Sequence, residues 1–436
     1  MSKALNVACL VLVSLLAGSA LADVPAWTGE LSPPQEVFPP DYASIHQAPR
    51  AVEYEGLLHL FWSASAPGLT GGDDFDILHA SYDGSQWSAP EVLTPGDAGY
   101  DATPKPVVYG DVLYLFWSTD DDATSEGTDT DIVYRTYDGS QWSDPVDVSS
   151  SFNPRGDYNP EPVVSGGSLY LFFEWFSNAS AVYEIAFTSF DGTAWAGVQA
   201  LTSGSAGTNV NPSAASDGSG VVLAWESYDP AYLASSRAAS IVSRRYAEGV
   251  WSPVTVISGG GGGHNTRPFL ASLDGNIWAV WSSNSTSITG GQDSDIVATS
   301  ASGAAWNGSV VELTPGDSGT DTNPSAAVYD GKLFVCWISD SPEITQGADT
   351  DIALRFFDGQ EWSSVTEISP DDGQDDGGGV TQDVPGLAVF REKLYVFWEA
   401  NADPDITSNP NPTWLLVFSY EVPEPENDSY WSYVIV

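Results

Sequence analysis

Apolar and polar residues alternate with period two along most of the chain, in short runs broken by Gly, Asp and Pro. Between residues 106 and 145 this pattern predicts four strands. Residues 106–109 form the first, and Gly110-Asp111 supplies a two-residue turn. Residues 112–118 form the second, with Leu113, Leu115 and Trp117 on one face. A polar loop leads to a third strand at 131–137, Asp138-Gly139 turns the chain, and a fourth strand covers 142–148. Such a unit has an apolar face that it cannot bury alone.

The chain repeats the unit. An aromatic residue of the second strand recurs at Trp62, Trp117, Phe173, Trp225, Trp281, Trp337 and Trp398, at spacings of 55, 56, 52, 56, 56 and 61. A fourth-strand Trp recurs at Trp87, Trp142, Trp195, Trp251, Trp306 and Trp362, with Trp431 displaced. An X-Pro step recurs at Pro49, Pro104, Pro160, Pro212, Pro268, Pro324 and Pro385, and reads as the start of each first strand, where a missing N–H costs least. Seven four-stranded antiparallel units of this length predict an all-β, seven-bladed propeller forming one domain over 23–436. A β-solenoid is the rival, but its repeats are shorter and lack internal hairpins. Two segments compete to close the ring. Trp27 and Pro34-Gln35-Glu36-Val37 echo the fourth strand of a blade, and so do Trp431 and residues 434–436.

Lys3, the apolar run 5–16 and Ala20-Leu21-Ala22 read as a secretory signal over residues 1–22, with export to the medium or the cell surface expected. No later run is long enough for a spanning helix. Beyond that leader only Cys336 remains, inside a core-strand pattern, so it is expected to act as a buried small hydrophobe. The formal charge is −46, with four Lys in the whole chain. Such a surface repels phosphate backbones and anionic membranes, which excludes nucleic acid and bilayers as partners. A calcium-rich surface, a basic partner and salt adaptation remain.

Ser81-Tyr82-Asp83-Gly84-Ser85-Gln86-Trp87, Thr136-Tyr137-Asp138-Gly139-Ser140-Gln141-Trp142 and Ser189-Phe190-Asp191-Gly192-Thr193-Ala194-Trp195 resemble the Asp-box (BNR) repeat of sialidase-like propellers. Phe357-Asp358-Gly359-Gln360-Glu361-Trp362 is a degenerate copy. Asp and Gly are adjacent here, one residue tighter than the usual box, and the repeats of Trp251 and Trp306 have lost the Asp. The resemblance implies a structural turn between third and fourth strands, away from the active face. An Asp at a tight turn capping its own backbone fits that role. The resemblance also implies, for a sialidase, an arginine triad, a Tyr–Glu nucleophile pair and an Asp acid. This chain departs from that pattern. It predicts seven blades where the family typically has six, and Ala48-Pro49-Arg50 stands where Arg-Ile-Pro is expected.

Acids concentrate in the loops from second to third strands and in the loops leading into the next first strand, which share one face of a propeller. Asp-x-Asp-Ile recurs at Asp74/Asp76, Asp129/Asp131, Asp293/Asp295 and Asp349/Asp351. Two readings stand. The paired carboxylates offer hard oxygens to Ca2+, or the second Asp accepts backbone N–H groups where the loop ends. The lead-in loops add Asp97, Asp101, Asp157, Asp317 and Asp321. The acidic pattern breaks near the fourth and fifth repeats, where Arg237, Arg244 and Arg245 lie close in sequence and a Gly run precedes His264 and Arg267. The Gly run beside His264 and Arg267 is a candidate entry for an anionic or sugar ligand, and Arg267, Arg155, Arg50 and Lys105 are candidates for a carboxylate clamp; the alternative is isolated counter-charges in an acidic field. Glu174, Glu226 and Glu399, near the second-strand aromatic position, are candidate carboxylates for glycoside chemistry. Tyr100, Tyr158, Tyr228 and Tyr232 are candidate stacking platforms for sugar rings. No His/Cys set has zinc spacing, and no nucleophile elbow or P-loop occurs. The leading expectation is a propeller that binds carbohydrate or a cell-surface partner. A sialidase-like hydrolase or polysaccharide lyase, and a structural exoprotein, are the alternatives.

Overall fold

A computed structural model describes residues 30–31, 35–37, 45–66, 68–70, 74–96, 99–122, 124, 129–149, 155–233, 238–259, 262–290, 293–303, 305–345, 349–369, 384–401 and 413–421. Among them there are strands and turns and no α-helix. The strands form seven antiparallel sheets. The first strands, Ile45–Tyr54, Ala102–Tyr109, Asp157–Ser165, Asn209–Ser216, Asn265–Leu273, Asp321–Tyr329 and Gly386–Phe390, stand side by side in that order. The last packs back against the first, so the array closes into a seven-bladed β-propeller.

Closure is made by the N-terminal segment. Thr413–Glu421, the third strand of the seventh blade, pairs on its outer edge with Glu30–Leu31 and Gln35–Glu36. Val37 then joins the apolar cluster between the seventh and first blades. Of the two candidates, Trp27 and the segment from 431 to 436 lie outside the described residues, whereas residues 35–37 fill the fourth-strand place.

Pro385 directly precedes the first strand of the seventh blade, Gly386–Phe390, but in the other six blades the proline lies inside the first strand. Pro104 is the third residue of Ala102–Tyr109, at a bulge where the register slips between Ala102 and Lys105. The same slip occurs in five further blades. There the missing N–H faces no partner strand, which is why Pro is tolerated inside the strand. The residue before each bulge Pro is left-handed: Ala48, Thr103, Asn159, Asn211, Arg267 and Asn323 have φ of 52° to 56°. Asn takes this conformation readily, but Thr and Arg do not. Six such bulges ring the central channel.

Between blades, seven apolar clusters form the core. Trp62, Trp117, Trp225, Trp281, Trp337 and Trp398 are fully buried at their centres. Each indole in the first, second, fourth, fifth and sixth blades donates to the residue 16 positions earlier, at the start of its own first strand: His46, Asp101, Asn209, Asn265 and Asp321, at 2.7–3.0 Å. The outer Trp residues bridge blades. Trp142 stands edge-on to Phe61, Trp195 to Phe116, and Trp251 to Phe172. Cys336 is buried and free, and burial pushes its thiol pKa up to about 12.

The Asp-Gly turns cap themselves. Oδ1 of Asp138 accepts the N–H of Ser140 and of Gln141 at 2.9 Å and the Ser140 hydroxyl at 2.7 Å. Asp83 and Asp191 repeat this bonding, and Asp358 takes the two N–H groups. The following glycines have φ of 90° to 98°, a region closed to residues with a Cβ.

The lead-in loops of the second, fourth, fifth and sixth blades cross the exit of the second strand at a glycine: Gly99, Gly207, Gly263 and Gly319. A Cβ on Gly207 would collide with the backbone carbonyl of Tyr228, and one on Gly319 with Ser341 Cα. Backbone cannot retreat as a side-chain tip can. Gly207→Ala is therefore expected to cost about 2–3 kcal/mol in urea unfolding, whereas Gly96→Ala, with nothing within 4 Å but φ 78°, should cost about 1 kcal/mol from backbone strain alone.

Candidate functional site

The bulged first strands point left-handed residues at the propeller axis. A cavity of about 120 Å3 opens at their level, lined by Ala48, Thr103, Asn159, Asn211 and Arg267 together with Arg50, Lys105 and Glu161. In a chain of net charge −46, three cations thus meet in one small space. Arg50 and Lys105 directly follow, and Arg267 directly precedes, the proline at the bulge of a first strand, and all three line the cavity. Arg50 Nη1 donates to the carbonyls of Pro49 and Val384 at 2.7 and 2.9 Å. Lys105 Nζ lies 2.7 Å from Glu161 Oε2, and Glu161 Oε1 accepts the N–H of Ala214.

Beside the cavity, two glutamates stitch blades together. Glu174 Oε1 accepts Asn159 Nδ2 at 2.7 Å and the backbone N–H of Asn211 at 2.8 Å. Glu226 Oε2 accepts Asn211 Nδ2 at 3.0 Å and the N–H of Arg267 at 3.2 Å. Each glutamate therefore binds the N–H of a left-handed residue in the next blade and holds it in that conformation. Burial raises the Glu174 pKa, opposed in part by these hydrogen bonds. The other Glu226 oxygen accepts the Tyr228 hydroxyl at 2.6 Å. Burial and this acceptor raise the Tyr228 pKa. Glu399 holds the corresponding place in the seventh blade and is also buried.

Of the residues expected in a ligand clamp, Arg50 and Arg267 come together, with Lys105. Arg155 does not join them; its guanidinium lies over the Phe176 ring at 4.9 Å. His264 is exposed in its loop, where its N–H donates to Asn284 Oδ1. Arg244 stacks on Trp251, and Arg245 pairs with Asp217 at 2.5 Å; Arg237 and residues 260–261 lie outside the described residues. Asn159, Asn211 and the Glu226–Tyr228 pair were not picked out from the sequence as one group. The signal was Asn before Pro, recurring at 159, 211 and 323. Among the tyrosines, Tyr100 is exposed and its hydroxyl reaches Gln47, while Tyr158 accepts from Thr130. Tyr232 lies away from the axis beside Arg244.

The Asp-x-Asp-Ile motifs take a common form. Asp76, Asp131, Asp295 and Asp351 are buried, while Asp74, Asp129 and Asp293 are half-exposed and Asp349 is buried. Each second Asp accepts a hydroxyl from the residue two past the outermost strand: Thr94, Ser149, Thr314 and Ser369, at 2.9–3.3 Å. The same hydroxyl accepts the N–H of the following Ile at 2.8–3.2 Å. A hydroxyl thus sits between the carboxylate and the backbone N–H, fastening the short outer strand.

Two buried imidazoles make the fold acid-sensitive. Burial lowers the pKa of His46 and of His59 from 6.5 to about 4. His46 Nδ1 accepts the Trp62 indole, and His59 stacks on His79, 2.9 Å between nitrogens. The folded pKa lies below the unfolded value, so between the two the unfolded chain binds the extra proton. Stability is full above pH 6.5 and falls toward pH 4, by roughly 3 kcal/mol for His46. His46→Asn installs the acceptor that Asn209 and Asn265 already use, and urea midpoints at pH 7 and 4.5 are expected to show a flatter pH profile for that variant.

No protein-family model matches the chain, and no curated protein matches it in sequence. Solved structures do match in shape. A protein of unknown function from Dyadobacter fermentans superposes with TM-score 0.52 at 9% identity, over 91% of this chain and 100% of the other. The phage phi92 endosialidase gives 0.50 at 11%, over 93% of this chain and 70% of its own. A Penicillium chrysogenum α-L-arabinanase in complex with arabinobiose gives 0.46 at 14%, over 89% and 98%. At such identities the likeness is one of fold: a sialidase-like propeller. Among the described residues no helix is long and apolar enough to cross a membrane.

Proposed function

We propose that the protein is an exported or cell-surface propeller that binds a carboxylate-bearing saccharide, a sialic or uronic acid, at the channel cavity. One observation carries this reading: Arg50, Lys105 and Arg267 line a single cavity in a strongly acidic protein. Guanidinium and ammonium groups suit a carboxylate, and the Asn159 and Asn211 amides and Glu161 suit sugar hydroxyls. The endosialidase supports the fold of this reading and no more. The Asp-Gly turns are read as tightened Asp boxes with a structural role, since all four cap their own backbone.

Arg267→Asn tests the proposal. Asn is at home in the left-handed conformation, as at Asn211, so the variant should fold while losing the guanidinium. The expected result is at least a tenfold loss of affinity for the acidic sugar, about 1.4 kcal/mol, with affinity for neutral sugars unchanged. Equal affinity in both proteins overturns the proposal.

A second reading, a glycoside hydrolase, is favoured by the 2.6 Å contact between Tyr228 and Glu226 beside Arg267. In this reading Glu226 accepts the phenolic proton as the Tyr228 oxygen bonds to the anomeric carbon, the glycosidic C–O bond breaks and the aglycone leaves (an aryl oxide leaves without an acid). Water then hydrolyses the glycosyl–tyrosine bond, the tyrosine regaining its proton. Against it, Glu226 already bonds two groups of the channel wall. Turnover of an aryl glycoside of the bound sugar, abolished by Tyr228→Phe with binding retained, would establish this reading; absence of turnover leaves binding as the function.

A further inference from the structure

We infer that Asp295, Asp317 and Asp321 form a Ca2+ site that ties the fifth blade to the sixth. One carboxylate oxygen from each residue lies within 4.8 Å of the other two. Asp295 begins the third strand of the fifth blade, and Asp321 begins the first strand of the sixth. Asp317 sits in the loop between these blades.

The cluster is more than a patch of acid, because two of its side chains are buried with an oxygen left over. Asp321 has no solvent exposure; Oδ1 accepts the Trp337 indole at 2.7 Å, and Oδ2 meets no donor. Asp295 is 2% exposed; Oδ1 accepts Thr314, and Oδ2 likewise meets no donor. A buried carboxylate oxygen without a partner costs several kcal/mol unless a proton or a cation satisfies it. None of the ion pairs among the described residues reaches these three groups.

The other blades supply an internal comparison. Between the third and fourth blades, Ser205 and Asn209 occupy the places of Asp317 and Asp321. Asn209 Oδ1 accepts the Trp225 indole, and its Nδ2 donates to Ser205 Oγ at 2.9 Å and to the Gly207 carbonyl. There the indole acceptor is a neutral amide satisfied from within, and Ser205 Oγ donates in turn to Asp229 Oδ2 at 2.7 Å, while Glu184 stands in the place of Asp295. Between the fifth and sixth blades the same slot holds carboxylates alone. An all-oxygen, carboxylate-rich set selects a hard cation, and Ca2+, with its flexible geometry and tolerance of carboxylate ligands, suits it. The pairing differs from the one the Asp-x-Asp spacing suggests, since Asp293 gives way to Asp317 of the following loop and Asp321 at the start of the next blade.

The test uses the double variant Asp317→Ser, Asp321→Asn, whose side chains already stand in this slot at Ser205 and Asn209. EDTA-treated full-length protein is titrated with Ca2+ by equilibrium dialysis, and thermal midpoints are read with Ca2+, Mg2+ or NaCl. Wild type is expected to bind Ca2+ and to melt higher in Ca2+ than in Mg2+ or in NaCl of matched ionic strength. The double variant should bind one equivalent fewer and show a smaller Ca2+-dependent rise. In EDTA it should melt no lower than wild type, because it lacks the uncompensated charge. Wild type binding no Ca2+, or the variant binding as many equivalents as wild type, overturns the inference.

Discussion

Trp225→Ala is expected to destabilise the protein by about 4 kcal/mol or more, which would leave a marginally stable chain largely unfolded. The indole is fully buried between blades, within the cluster that includes Phe172, Leu223 and Val242. Truncation opens a cavity whose lining of strands and interlocked side chains cannot collapse. It also strips the donor from Asn209 Oδ1, 2.9 Å away, and leaving that buried acceptor unpaired adds about 1–3 kcal/mol. Trp225→Phe separates the two contributions. It keeps most of the ring and loses the N–H, and the third blade already carries Phe173 at this position, fully buried. The Phe variant should therefore lose only about 1–2 kcal/mol. Urea unfolding of the three proteins measures both differences. Equal losses for Ala and Phe would mean that the hydrogen bond, rather than the packing, holds the slot.

The second large effect lies at the ring closure. A protein beginning at Ser44 lacks the strands that pair with the outer edge of Thr413–Glu421. It also lacks Val37, whose burial between the seventh and first blades is worth roughly 2 kcal/mol. The exposed edge becomes a template for pairing with other chains. The expected outcome is loss of the single cooperative unfolding transition and concentration-dependent association, seen by calorimetry and light scattering. Truncation after Glu421 leaves the N-terminal strands in place on that edge, and a cooperative transition is expected to survive it. If the two truncations behave alike, the assignment of the closing strand is wrong.

The architecture was legible because each blade repeats the same demands. The Trp spacing, the Asp-Gly turns and the hairpin signals all agree, and the third strand observed in the second blade, Asp131–Tyr137, is the one the alternation predicts. The bulges were not legible. Pro104 looks like a strand start, and only the pairing of Ala102 with Ser118 shows that the strand begins before it. The indole slot was legible and overlooked: the spacing of 16 between Asn209 and Trp225 recurs in five blades. At the candidate site, sequence reasoning grouped Arg155 and His264 with Arg267 because all are near a lead-in loop. The cavity cations are those flanking the bulge proline inside a first strand; Arg155 also follows a proline, Pro154, but that proline precedes the strand Asp157–Ser165. Glu226 and Tyr228 could be named from the sequence but not paired with Arg267, 41 positions away, without the ring that places the fifth blade beside the fourth.

The most direct measurement is a calorimetric titration of the wild-type protein with one sugar in two forms, the free acid and its methyl ester, across a panel of sialic and uronic acids. The ester keeps the ring and hydroxyls and removes only the charge. The account predicts that at least one free acid binds, that its ester binds at least tenfold more weakly, and that added salt weakens the acid alone. An acid and ester of equal affinity, or a panel in which no acid binds, would contradict the claim that the channel cations select a carboxylate.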